Sequence, residues 1–170
     1  VIEDCCEAHG AEWDNKKVGS YGIISTWSFY VAHHMTTAEG GMILTNDSEL
    51  DTILRELREF GRDKSYQGER YGMSKGNLKD FDERYTFHRV GWNFRMADAP
   101  ASFGIQQLKK LNDMNDTRIS NAKYLTTELS KFDEFIYVLP ENTGNNTNTF
   151  YSFPIVIKEN SGIDRKDFVQ

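Results

Sequence analysis

Cysteine is nearly absent from this chain, and its two copies, Cys5 and Cys6, are neighbours. Adjacent residues rarely form an unstrained bridge and two thiols cannot make a disulfide framework, so a reduced, cytoplasmic setting is expected. No apolar run approaches the ~20 residues a membrane helix needs. The 20 Lys and Arg are scattered among 26 Asp and Glu, for a net charge of −6. Nucleic acid and anionic membrane surfaces are therefore not expected partners. There is no G-x-G-x-x-G, Walker loop, H-E-x-x-H or C-x-x-C, so nucleotide and metal readings by motif fail. N-x-S/T sequons at Asn46, Asn115 and Asn145 carry no weight without a secretory signal. The chain lacks an initial Met and opens on VIEDCC, a strand already under way, which predicts a piece of a longer protein.

What is present reads as α/β. Residues 1–5 look like a buried strand, followed by a polar turn in WDNKKVGSYG. Residues 23–30, rich in β-branched and aromatic side chains, predict a second strand, and MILTN after Gly40 and Gly41 a third. The clearest helix is DSELDTILRELREFG. Leu50, Ile53, Leu54, Leu57 and Phe60 form its apolar stripe, Asp47 or Ser48 caps it, and Gly61 ends it. Residues 62–85 are polar and glycine-dotted, a loop long enough to suggest function. A helix restarts in MADAPASFGIQQLKKLN, with Asp98 as N-cap and Pro100 in its first turn, and another covers about 115–130. FIYVLP and FYSFPIVIK then predict strands, and GIDRKDFVQ the start of a helix. The change of texture places a domain boundary near residue 131: an α/β portion over 1–130, then the opening of a smaller α+β unit over 131–170.

With no motif to follow, the candidates are polar residues at strand ends, where α/β sheets bind ligands. Asp4 can hold a protonated ring nitrogen of a cofactor or cap the next turn, and Glu7 carries the same ambiguity. His33 and His34 follow the strand STWSFYVA, and a histidine of ordinary pKa moves protons at cellular pH. The plainer alternative is one ring bonded in a turn and the other solvated. Ser28 can donate its hydroxyl to an anion. In GWNFRM, Asn93 and Arg95 can contact a phosphate or fix the loop backbone.

Taken in order, VIEDCCEAHGAEWDNKKVGSYG, STWSFYVAHHMTTAEGGMILTND, VGWNFRMADAPASFGIQQLKKL and FYSFPIVIK followed by GIDRKDFV resemble the DegT/DnrJ/EryC1/StrS sugar aminotransferase family. The resemblance runs over nearly the whole chain. It implies part of the large domain of the PLP-dependent, aspartate aminotransferase-like fold (fold type I), plus the start of the small C-terminal domain. By position, it implies that Asp4 pairs with the pyridine nitrogen and keeps the ring an electron sink. It places Glu7 near the ring hydroxyl, Ser28 on the cofactor phosphate, and Asn93 on the phosphate of a neighbouring subunit, hence a homodimer with shared active sites.

The departure from the family pattern is His33, which stands where the aminotransferases carry the lysine that bonds the cofactor covalently. AHH-x-T-x-x-EGG resembles the 3-dehydratase branch, which acts on nucleotide-linked 4-keto-6-deoxy sugars. There the implied cofactor is noncovalent pyridoxamine phosphate in exchange with pyridoxal phosphate, with His33 as acid and base and His34 as a positioning neighbour. One group of that branch carries a 2Fe–2S centre in the loop after the GRD helix end. Here that loop has no cysteine, so no iron–sulfur cluster is expected, and cofactor regeneration by transamination with glutamate is the corresponding expectation. The family's N-terminal phosphate loop and first strands are not in this sequence, which predicts poor cofactor affinity and no turnover for these 170 residues alone. The alternatives are an aminotransferase relative that has lost its lysine, and a non-catalytic sugar-nucleotide-binding dimer in which His33 is structural.

Overall fold

The computed structural model describes residues 1–62, 87, 89–139, 142 and 144–169. The expected loop at 62–85 lies, but for Arg62, outside the described residues. Contacts divide the chain into two compact units, Val1–Ile43 with Asp98–Gln170, and Leu44–Ala97. Residues 131–170 thus group with the first strands.

In the first unit, β1 (Ile2–Asp4) lies parallel to β4 (Ile24–Ser28), with Ile2 opposite Ile24 and Asp4 opposite Thr26. β5 (Gly41–Leu44) flanks β4 on the other side, so the sheet order is β1-β4-β5. A parallel pair needs a crossover, and residues between β1 and β4 supply it with a small antiparallel hairpin, β2 (Glu12–Trp13) and β3 (Lys16–Lys17). This hairpin is the predicted polar turn. β1 is less covered than expected: Ile2 is 66% exposed. Among the described residues it pairs with β4 alone, as an edge strand, and Ile2 and Asp4 stay exposed.

Two helices follow, α2 (Asp98–Leu108) and α3 (Leu111–Leu129). α3 starts earlier than expected because Lys110 provides no side-chain cap, so nothing in the sequence marks its first turn. Asn115, Arg118 and Ala122 lie at helical spacing on one face, and Asn115 Nδ2 donates to the His9 carbonyl at 2.9 Å. A 3₁₀ turn (Ser130–Phe132) leads to β6 (Ile136–Tyr137), paired antiparallel with β7 (Val156–Ile157). The closing helix α4 (Arg165–Phe168) is capped by Asp164, which accepts from Lys166 N.

The second unit is built on α1 (Ser48–Arg58), capped by Asp47, whose carboxylate accepts from Glu49 N and Leu50 N. Leu50, Ile53, Leu54 and Leu57 are half-buried as the stripe predicts. Phe60 leaves the stripe: the helix ends at Arg58, and Phe60 takes a left-handed backbone with φ 62°. Trp92 N donates to Leu57 O and Phe94 N to Arg58 O, which docks GWNFRM on the helix end. Inside the docked turn, Glu56 is buried and bonded by Arg89 Nε at 2.5 Å.

Candidate active site

Because β1 and β4 run parallel, their carboxyl ends share one edge of the sheet, and Asp4 and Ser28 are the last residues of the two strands. Asp4 Oδ1 accepts from Cys6 N at 3.1 Å, folding the chain into a turn just beyond the strand. Hydrogen bonds from Cys6, a weaker one from the Thr26 hydroxyl and the charge of His33 hold the Asp4 carboxyl below its usual value. Asp4 is therefore ionised at neutral pH and exposed to a ligand at the strand end. Ser28 Oγ accepts from Tyr30 N at 3.2 Å, which leaves its O–H available as a donor. Glu7 is exposed in the turn over residues 5–8, which Ala8 N closes on Cys5 O at 3.0 Å.

The histidines sit on a loop cinched at one residue. Phe29 N donates to Gly40 O at 2.9 Å, while Thr37 N and the Thr36 hydroxyl both donate to Phe29 O. Residues 30–36 therefore project beyond the carboxyl end of β4. His33 is half-buried, its ring 5.3 Å from that of Tyr151 and 6.1 Å from that of Tyr30, centroid to centroid. Its Nδ1 is buried and has no hydrogen-bond partner among the described residues.

His34 turns inward and is fully enclosed. Its Nε2 lies 3.3 Å from the Thr149 carbonyl, an acceptor only, so that nitrogen carries the proton. Burial, with the nearby Arg118 charge, pushes its pKa down. Behind it stands a third imidazole that reading the sequence missed, His9. It packs edge-on to Trp27 at 5.1 Å and lies 5.6 Å from His34. Both ring nitrogens of His9 are buried and have no hydrogen-bond partner among the described residues, and burial lowers its pKa to about 4. No local pattern marks His9, because its neighbours come from β4 and the loop beyond it.

The expected residues thus separate into two groups. Asp4, Ser28 and His33 meet at one sheet edge, with Asp4 within electrostatic reach of His33. Asn93 belongs to the second unit, where it is exposed and bridged to Glu59. Arg95 Nη1 lies 3.5 Å from the Glu59 carboxylate.

Among the described residues no group of three or more His, Cys, Asp and Glu could hold a metal ion. Burial, followed by the Glu3 and Asp4 charges, pushes the Cys5 thiol up to about 11, so it stays protonated. No described helix is long and apolar enough to cross a membrane. The same edge does fit a pyridoxal-type cofactor. An ionised carboxylate suits a protonated ring nitrogen, a free hydroxyl suits a phosphate, and an imidazole with an unpaired nitrogen suits proton transfer.

The scaffold is that of solved aminotransferases: the aminotransferase from Psychrobacter cryohalolentis superposes with a TM-score of 0.76 at 28% identity, covering 98% of this chain and 42% of that one. The chain belongs to the DegT/DnrJ/EryC1/StrS aminotransferase family, whose sequence pattern matches residues 1–170. It is 36% identical to the lipopolysaccharide biosynthesis protein RfbH of Salmonella typhimurium, over 100% of this chain and 40% of that protein. It is 33% identical to the GDP-4-keto-6-deoxy-D-mannose 3-dehydratase of Escherichia coli O55:H7, over 100% of this chain and 43% of the relative. The solved E. coli GDP-4-keto-6-deoxy-D-mannose-3-dehydratase with bound hydrated PLP superposes with a TM-score of 0.82 at 33% identity, covering 99% of this chain and 42% of that one. The chain therefore spans about two fifths of the length of these relatives.

Proposed function

We propose that the protein carrying this chain is a 3-dehydratase of nucleotide-linked 4-keto-6-deoxyhexoses, acting with noncovalent pyridoxamine phosphate in deoxysugar biosynthesis. The observation that carries the reading is His33: an imidazole with an unpaired ring nitrogen, on the loop beyond β4, beside an ionised Asp4. Imidazole exchanges protons near neutral pH and cannot take the place of the lysine that aminotransferases bond to their cofactor. When bound, pyridoxamine phosphate supplies an amine to join the sugar's C4 ketone and an electron sink in its ring.

In this reading the chain's own residues divide the work. Asp4 keeps the ring nitrogen protonated, and Ser28 donates to the phosphate. With the cofactor bound as electron sink, His33 would act as the base and would then return the proton to the C3 oxygen of the sugar, which would leave as water. Glu7 serves the ring hydroxyl, and Asn93 reaches the phosphate in a neighbouring subunit of a cytoplasmic homodimer. Residues 131–170 open the smaller domain.

The test is product analysis with the protein carrying this chain, pyridoxamine phosphate and GDP-4-keto-6-deoxymannose. Loss of the C3 oxygen, abolished in His33→Asn, is the expected result. An amino sugar in place of the deoxy product would make it an aminotransferase, and unchanged turnover in His33→Asn would remove His33 from the reaction. Borohydride reduction adds an independent check: the expected outcome is no covalent cofactor on the protein.

A further inference from the structure

Proton transfer by a histidine depends on the ring being held at one tilt. Ordinarily the second ring nitrogen is bonded to a carboxylate or a backbone carbonyl, and that bond fixes tautomer and orientation. His33 lacks this device among the described residues, since its buried Nδ1 has no partner. Two aromatic rings flank the imidazole instead. Tyr30 stands at 87° to it and Tyr151 at 54°, with Tyr151 the nearer.

The two tyrosines are held differently. Tyr30 is on the same loop as His33 and is 46% exposed, so it is not held from outside that loop as Tyr151 is. Tyr151 arrives from a distant segment that is bonded along its length. Thr147 exchanges two backbone hydrogen bonds with Glu12, each 2.9 Å. Phe150 N donates to Asn148 Oδ1 at 2.8 Å. His34 Nε2 meets the Thr149 carbonyl, and Arg118 Nη1 donates to the carbonyls of Phe150 at 3.3 Å and Tyr151 at 3.1 Å. The segment is anchored to β2, to α3 and to the residue next to His33.

We propose that Tyr151 is the positioning residue of His33: its ring, fixed through the backbone of residues 149–151 by Arg118 and His34, takes the place of the missing hydrogen-bonded orienter. The second histidine of the pair then has a stated task. His34 ties the loop to the segment whose tyrosine packs on His33, so the two imidazoles keep register with each other. Aromatic packing fixes tilt without drawing on a ring nitrogen.

The kinetic part of this inference rests on the dehydratase reading, and the test separates the two. Order of the His33 ring is measured by 13C relaxation of histidine-labelled, cofactor-free protein, the signal being assigned by its loss in His33→Gln. In wild type and Tyr151→Phe the ring is ordered. In Tyr151→Ala its order parameter is expected to fall below about 0.6, the range of flexible groups. Turnover of the loaded enzyme should fall at least about tenfold in Tyr151→Ala with KM within about twofold, and Tyr151→Phe should restore it. Arg118→Gln, which leaves both rings intact, should loosen His33 in the same direction. Should Tyr151→Ala fail to fold, Tyr151→Leu keeps the bulk without the ring and is read in the same way. An ordered His33 ring in a folded Tyr151→Ala or Tyr151→Leu protein would overturn the proposal. A wild type that performs no dehydration would instead sink the functional reading, with ring order still deciding the role of Tyr151.

Discussion

Glu3 holds Gly22 across the crossover between the two parallel strands: its Oε1 accepts the Gly22 N–H at 2.5 Å. The same carboxylate accepts from Tyr21 N at 2.7 Å and Gly19 N at 2.6 Å, so one side chain ties the end of the crossover to β1. Hydrogen bonding from Gly22, with lesser help from Gly19, Tyr21 and the Lys16 charge, lowers the Glu3 pKa against the opposing effect of burial. A lowered carboxylate pKa means the unfolded state binds the proton more readily. The stabilisation is present above the ordinary value of 4.5 and is lost as pH falls through the depressed one. Glu3→Gln should cost roughly 1–2 kcal/mol at pH 7, a charged-bond value discounted for the partial exposure of the site. Urea unfolding at pH 7 and pH 3.5 checks this, and the gap between variant and wild type should be smaller at the lower pH.

His9 adds to the same sensitivity to acid. Its folded pKa, lowered to about 4 by burial, lies below the 6.5 of an ordinary histidine. Between those values the unfolded state binds the extra proton, so His9 makes the fold progressively less stable as pH falls from 6.5 to 4. His9→Phe should suit the aromatic surroundings of Trp27 and Phe29 and remove that sensitivity. The expected gain over wild type is about 1–2 kcal/mol at pH 5, and smaller at pH 7.5. A variant that loses stability equally at both pH values would show that His9 charges freely in the fold.

The second unit depends on one close backbone approach. Gly61 has φ 80°, donates to Glu56 O at 2.8 Å, and lies where an added Cβ would sit 1.7 Å from the Arg89 carbonyl. A left-handed backbone strains any L side chain there, and the overlap involves backbone that cannot swing aside. Gly61→Ala should destabilise by about 3 kcal/mol. Hydrogen exchange should show the loss first at Trp92 N and Phe94 N, which bond to the end of α1. Unchanged protection of those two amides would mean that the segment docks without the glycine.

How much of this could be read in advance follows the range of the interactions. Asp47 and Asp164 bond to amides two or three residues away, so their caps are legible as local patterns. β1 and β4 were legible from their side chains, and Asp4, Ser28 and His33 followed as strand-end residues. Nothing local announces that His9 would pack behind His34, that Arg118 would hold the carbonyls of residues 150 and 151, or that Glu56 would be buried with Arg89. Those are contacts between segments far apart in sequence, and a polar residue such as Glu56 on a charged helix reads as solvent-facing until its partner is placed. The orienting tyrosine is hidden for the same reason: Tyr151 looks like one aromatic in a strand-like run until the chain brings it to His33.

Asp4 gives the sharpest test of the proposed cofactor edge, because its bond to Cys6 N and the role proposed for its charge come apart in one substitution. In Asp4→Asn the side-chain oxygen can still accept from Cys6 N, now at 3.1 Å, so the turn after β1 should survive. The negative charge is lost, and with it the charge-assisted bond that a protonated pyridine nitrogen requires. Pyridoxamine phosphate affinity, followed by cofactor fluorescence in the protein carrying this chain, should fall at least about tenfold while thermal stability stays within a degree or two. Because the Asp4 carboxyl titrates below its usual value of 3.8, wild-type affinity should show no loss from this group between pH 5 and 8. Weakened binding together with a lowered melting temperature would assign Asp4 to the turn. Wild-type affinity in Asp4→Asn would exclude it as the partner of the ring nitrogen.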